Sequence, residues 1–154
     1  MTLDQALKDP NLQKKFFDMP PAYRAAITAR VKWLKEAHKH QIPPAGDWYT
    51  IHLLLAGRGA GKTRAAAEWT WWQAWSQPKT RWLVSAPTSG DVRDVCFEGE
   101  SGILSVMPPE LIDNYTKTLH ELKLINGSLI KGIPASEPER FRGHLPDRGI
   151  FRAD

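Results

Sequence analysis

The chain has 154 residues, of which 42% are hydrophobic and 25% are charged, and its formal net charge is +4. This length suits one domain with a core of its own, and the mild positive charge suits polyanions such as DNA or nucleotides but equally an ordinary surface. The one cysteine, Cys96, excludes an intramolecular disulfide and a cysteine-based metal site. There is no apolar run of about 18 residues and no signal-peptide pattern, so we expect a cytosolic protein without a membrane partner.

The first third of the chain is predicted to be helical. Thr2 and Gln5 have the spacing of a capping box, which predicts a short helix that ends by Pro10. Apolar residues recur at helical spacing over 22–40 with basic residues around them, which is typical of an amphipathic helix. The prolines and glycine of 41–48 predict a loop.

The middle of the chain alternates between the patterns of strands and helices. We expect a strand buried on both faces at 51–56, a helix at 63–75, a second buried strand at 81–87, and helical segments within 88–108. Asn126 and Gly127 stand between alternating apolar residues, which predicts a hairpin with a two-residue turn, and another apolar run begins near 149. This order predicts an α/β fold with a mainly parallel sheet and one antiparallel hairpin.

Residues 56–63 read AGRGAGKT and fit the phosphate-binding pattern G-x-x-x-x-G-K-[ST], with alanine in place of the first glycine. Glycines let successive backbone N–H groups turn inward around an anion, and the following helix adds its positive end. The pattern predicts a nucleotide site in which lysine contacts the β and γ phosphates and threonine contacts Mg²⁺. The alternative is a turn that only joins strand to helix. The residues of the predicted cradle are Ala56, Gly57, Arg58, Gly59, Ala60, Gly61, Lys62 and Thr63.

Two further groups of residues leave alternatives open. Arg58 is either a cation that stabilises charge on a transferring phosphoryl group or a solvated side chain at a loop tip. Arg140 and Arg142 form a basic loop that suits an arginine supplied to a neighbouring subunit, contacts to DNA phosphates, or plain solvation. The four tryptophans of 69–75 are expected to fill the core rather than stack on DNA, with Trp75 exposed.

Several segments in a fixed order resemble the ATPase domain of the large terminase subunit of tailed bacteriophages and prophages, a DNA-packaging motor. They are HQIPPAGDW at 40–48, LLLAGRGAGKTRAAAEW at 53–69, APTSGDVRDVCFEGESGIL at 86–104, PERFRG at 138–143 and RAD at 152–154. The resemblance covers residues 40–154. It implies a P-loop NTPase three-layer sandwich, with a helical extension and adenine-side loop at 1–45 and the ATPase domain at 46–154.

The resemblance also implies roles for single residues. Gln41 matches a glutamine that reads adenine, and its amide suits the adenine edge because it both donates and accepts. Arg58 and Lys62 match catalytic and phosphate-binding cations, and Thr63 matches a magnesium ligand. Asp154 matches the aspartate that ends the Walker B strand and holds Mg²⁺.

The intact protein is then expected to bind ATP and Mg²⁺ and to move double-stranded DNA into a capsid in the bacterial cytoplasm. The partners that the resemblance implies are DNA, the portal protein, the small terminase subunit and further copies of the chain in a pentameric ring. The sequence stops before the family's catalytic glutamate, which would follow Asp154, and before its nuclease domain. We therefore expect the chain alone to bind nucleotide with little turnover. A helicase-like ATPase and an inactive nucleotide-binding assembly module are the alternatives.

Overall fold

A computed structural model describes residues 2–46, 48–49 and 51–143, together with the backbone of 150–152. The described chain is a mixed α/β protein. Its helices are α1 (Leu3–Lys8), α2 (Pro10–Phe17), α3 (Pro21–Glu36), α4 (Lys62–Ser76), α5 (Ser89–Asp91) and α6 (Ile103–Val106). Its strands are β1 (Arg81–Ala86), β2 (Ile112–Thr116), β3 (Glu121–Leu124), β4 (Leu129–Pro134) and β5 (Ile150–Arg152). A π-helical stretch spans Val92–Phe97, and 3-10 turns span Lys39–Gln41, Pro109–Leu111 and Pro138–Phe141.

The strands form one sheet in the order β2-β3-β4-β1-β5. Strand β1 pairs in parallel with β4 and β5, whereas β3 pairs in antiparallel fashion with β2 and β4. The predicted buried strand at 81–87 and the predicted hairpin are therefore confirmed. The pairings divide evenly between the two kinds, so the sheet is mixed and a mainly parallel sheet is not confirmed.

The hairpin turn is one residue longer than predicted. The amide of Leu124 donates to the carbonyl of Ser128 at 2.9 Å, which leaves 125–127 as the loop. Gly127 takes a φ of +86°, a left-handed conformation that favours glycine. The Asn126 side chain accepts from the amide of Ser128 and donates to the carbonyls of Ala74 and Trp75, so the turn is fastened to the end of α4.

The predicted buried strand at 51–56 is wrong. These residues have no strand pairing within the described part of the chain, and the side chains of Ile51, Leu53 and Leu55 are 81%, 71% and 83% exposed. Both edges of β1 are already occupied, by β4 and by β5. An apolar run favours burial but supplies no pairing partner, and a strand forms only where its N–H and C=O groups find one.

The N-terminal helices follow the capping signals. Thr2 and Gln5 make both bonds of the predicted capping box on α1. Pro10 begins α2 rather than only ending α1, because a proline is tolerated at the first helical position and Asp9 caps that helix through the amide of Asn11. No helix among the described residues is long and apolar enough to span a bilayer.

Helix α4 packs its tryptophans into the core between the sheet and α3. Trp71 is fully buried, which confirms the predicted core role. Trp75 was expected to be exposed and is only 8% exposed, because the ring of Tyr23 from α3 covers it at a centroid distance of 5.2 Å. Cys96 is buried, and burial raises the pKa of its thiol to about 12.

A buried carboxylate ties α4 to its surroundings. Glu68 is 2% exposed, accepts from Arg64 Nε at 3.0 Å and from Trp71 Nε1 at 3.0 Å, and lies close enough to Arg30 of α3 to interact electrostatically. The Arg64 guanidinium in turn lies over the ring of Trp33 in α3, 5.2 Å from its centroid. Buried charges are stable only when paired in this way, so α3 and α4 are held in one relative position.

The stability of the fold is expected to depend on pH through the Glu68 carboxyl group. Desolvation raises the pKa of Glu68, against the opposing hydrogen bonds from Trp71 and Arg64. The folded chain therefore binds the Glu68 proton more tightly than the unfolded chain does. Its contribution to the free energy of unfolding is complete below the unfolded pKa of this carboxyl group and is lost as pH rises through the folded pKa. In urea unfolding measured from pH 4 upward, Glu68→Gln should abolish this decrease in the free energy of unfolding.

The exposed Glu36, which pairs loosely with Lys32 at 3.9 Å, provides the matched control. Glu36→Gln should leave the pH profile of the wild type unchanged. Parallel profiles for wild type and Glu68→Gln would contradict the assignment.

Candidate functional site

The glycine-rich segment folds as a compact turn that leads directly into α4. The amide of Ala60 donates to the carbonyl of Gly57 at 3.3 Å, and Gly59 and Gly61 take φ values of +79° and +77°. Both values lie in the left-handed region where a side chain is strained, so these two glycines are required by the turn. We call residues 56–63 the phosphate loop.

Gly61 caps the N-terminus of the 15-residue helix α4 without a side-chain hydrogen bond. The first helical bond runs from the amide of Ala65 to the carbonyl of Gly61 at 3.0 Å. The amides of Lys62, Thr63 and Arg64 precede that bond and have no helical partner. Together with the helix dipole they make this end of α4 electropositive and suited to an anion.

The Lys62 side chain folds back across the phosphate loop. Its Nζ donates to the carbonyl of Ala56 at 2.6 Å and to that of Gly57 at 3.0 Å. The ammonium therefore closes the turn from the helix side and places a positive charge beside the first two residues of the phosphate loop. The arrangement combines a cation, glycines and a free helix N-terminus, which is the donor set that a phosphate group needs.

A second segment contacts the phosphate loop from the N-terminal side. In the 3-10 turn Lys39–Gln41, the Gln41 amide donates from Nε2 to the carbonyl of Gly61 at 3.1 Å. Its Oε1 accepts from the amide of His38 at 2.9 Å, and the residue is 8% exposed. Next to it, His40 Nε2 lies 3.1 Å from the carbonyl of Ala60, and His40 is the donor because a carbonyl only accepts.

The structure thus places Gln41 in contact with the phosphate loop, and within that loop Lys62 contacts Ala56 and Gly57. It also adds His40, which the sequence reasoning missed; the adjacent glutamine was the available signal. Arg58 lies exposed near the tip of the loop, and Thr63 is half-buried in the first turn of α4. The predicted magnesium residue Asp154 lies outside the described residues, so its role stays a prediction.

A separate polar pair lies where β1 and β4 end. Ser89 Oγ is 2.8 Å from His120 Nε2, and His120 is buried with a φ of +51°. Burial lowers the pKa of His120, and the nearby cations Arg140 and Lys131 lower it further. Arg140 itself pairs with Glu137 at 2.7 Å, so a contact within its own turn occupies one nitrogen of this predicted basic-loop residue.

Within the described ranges, no group of three or more histidine, cysteine, aspartate or glutamate side chains is placed to hold a metal ion. An open cleft of about 480 Å³ lies between α3 and the Pro109–Leu111 turn, where Arg24, Lys32 and Glu110 are among its lining residues. This cleft is lined by residues outside the phosphate loop.

Comparisons with known proteins bear on the same segment. Residues 53–145 match a family model described as terminase large subunit, T4likevirus-type, N-terminal. No curated protein and no solved structure matches the chain. The matched range begins just before the phosphate loop, runs through the sheet to the basic turn at Pro138–Phe141, and covers more than half of the sequence. The chain therefore belongs to the family of terminase large subunits of the T4-like-virus type, of which it carries the N-terminal region.

Proposed function

We propose that this chain binds ATP with Mg²⁺ in the phosphate loop, as the nucleotide-binding part of a motor that moves double-stranded DNA into a phage capsid. Membership of the family supports a role in phage DNA packaging, and the family is generally one of ATPases. The observation that carries the nucleotide proposal is the folded-back Lys62 at the N-terminus of α4.

Different residues of the phosphate loop bind different parts of the triphosphate. The free amides at the start of α4 bind phosphate oxygens, and Lys62 exchanges its carbonyl contacts for the β and γ phosphates. Thr63 supplies a hydroxyl ligand to the metal, with Asp154 as its proposed partner. Mg²⁺ held by these residues would supply positive charge that stabilises the phosphate oxygens.

Arg58 supplies a second cation at the tip of the phosphate loop. An exposed guanidinium there is free to move toward a phosphate tail, and its fork of donors matches the oxygens of a transferring phosphoryl group. We therefore propose that Arg58 assists catalysis in the intact protein. The remaining partners implied by packaging are the portal protein, the small terminase subunit and further copies of the chain in a ring, all in the cytoplasm of the host bacterium.

The proposal is tested by the substitution Lys62→Ala. Removal of the ammonium should weaken ATP binding by roughly a hundredfold, because a charge-assisted bond contributes about 1.5 to 3 kcal/mol and the loop also loses its internal closure. Isothermal titration calorimetry on the full chain measures this loss. Lys123→Ala, at an exposed position of β3, is the matched control and should bind as the wild type does.

Equal ATP affinity in Lys62→Ala and the wild type would remove the phosphate loop from the binding site. Loss in both lysine variants would point instead to a general effect of charge on the surface.

The metal ligand is tested separately through Thr63. Thr63→Ala should lower the affinity for Mg·ATP by about fivefold to tenfold while the affinity for ATP in EDTA stays close to that of the wild type. Thr63→Ser retains the hydroxyl and should bind Mg·ATP normally. An equal loss with and without Mg²⁺ would show that the hydroxyl supports the loop rather than the metal.

A further inference from the structure

The 3-10 turn Lys39–Gln41 donates hydrogen bonds to two consecutive carbonyls of the phosphate loop. His40 Nε2 is 3.1 Å from the carbonyl of Ala60, and Gln41 Nε2 is 3.1 Å from that of Gly61. We infer that His40 and Gln41 are positioning residues that set the direction of the loop amides, and so determine binding of the phosphate tail rather than of the base. The inference rests on the proposed nucleotide site.

The geometry of the peptide bond carries the first step. In a trans peptide the carbonyl and the following N–H point to opposite sides of the chain. When His40 holds the carbonyl of Ala60, the N–H of Gly61 is directed away from the 3-10 turn. The carbonyl of Gly61 accepts from the amide of Ala65 in α4 and also from Gln41, so the N–H of Lys62 is directed the same way. The two bonds from the 3-10 turn, together with the first bond of α4, therefore aim two successive donors toward the side where an anion would bind.

The second step is the fit between Gln41 and Gly61. A Cβ atom on Gly61 would collide with Gln41 Nε2, and the φ of Gly61 is already left-handed. The glutamine side chain thus occupies the space that only a glycine leaves open. A substitution at either position is expected to disturb the other.

The Gln41 amide is poorly placed to bind a nucleotide base. Its oxygen accepts from the amide of His38, its nitrogen donates to Gly61, and the residue is 8% exposed. One N–H and one oxygen lone pair of the amide remain, but a side chain this deeply buried reaches an adenine edge only if it moves from this position. In its observed position Gln41 keeps its bonds with His38 and Gly61, and it joins the phosphate loop to the chain that follows α3.

The test compares ATP with inorganic tripolyphosphate, which has the phosphate tail but no base. In titrations of the full chain, Gln41→Leu and His40→Phe should each weaken both ligands by the same factor, about threefold to tenfold. His40→Gln keeps a donor at the position of Nε2 and should restore binding of both ligands. Gln73→Leu removes a comparable hydrogen bond at the far end of α4, from Gln77 Nε2, and serves as the matched control.

The possible outcomes distinguish a positioning role for His40 and Gln41 from recognition of adenine. Equal losses for the two ligands, with recovery in His40→Gln, support the positioning role even if thermal unfolding shows a modest loss of stability. A loss for ATP alone in Gln41→Leu overturns the inference and assigns the glutamine to adenine. Normal binding of both ligands by both variants also overturns it but leaves the nucleotide site intact. If the wild type binds neither ligand, the proposed function falls and the inference falls with it.

Discussion

The contact between the Lys62 ammonium and the carbonyls of Ala56 and Gly57 is the interaction on which the rest of the account depends. It closes a glycine turn in which Gly59 and Gly61 take left-handed conformations. The lysine is also the first residue of α4, so the closing charge and the electropositive helix end coincide. A turn closed in this way presents donors to an anion, whereas an open glycine segment would have to order them first.

Around that turn the protein builds support in two layers. The 3-10 turn before the phosphate loop contacts it directly through His40 and Gln41. Behind it, the stacking of Arg64 on Trp33 and the buried carboxylate of Glu68 fix α4 against α3. The N-terminal helices are therefore part of the structure that positions the loop, although the family match begins only at residue 53.

The sequence predicted those features that depend on local chemistry. The capping box at Thr2, the buried strand β1 and the hairpin at Asn126 and Gly127 each follow from residues close together in the chain. All three are present in the structure, although the hairpin loop is one residue longer than predicted. Features that depend on a distant partner were harder to predict. The segment 51–56 has the composition of a strand but no pairing partner among the described residues, and Trp75 is buried in the core with Tyr23 of another helix against its ring. His40 was missed because its contact with Ala60 joins residues 20 positions apart, and no spacing rule marks such a pair.

The central claim is that the loop amides at 57–63 receive a phosphate tail. Nuclear magnetic resonance of the ¹⁵N-labelled chain, titrated with tripolyphosphate, reports on each amide directly. The largest shifts are expected at the backbone amides of Gly61, Lys62 and Thr63, at the N-terminus of α4. Largest shifts at the cleft beside Arg24 and Lys32, with the loop amides unchanged, would contradict it.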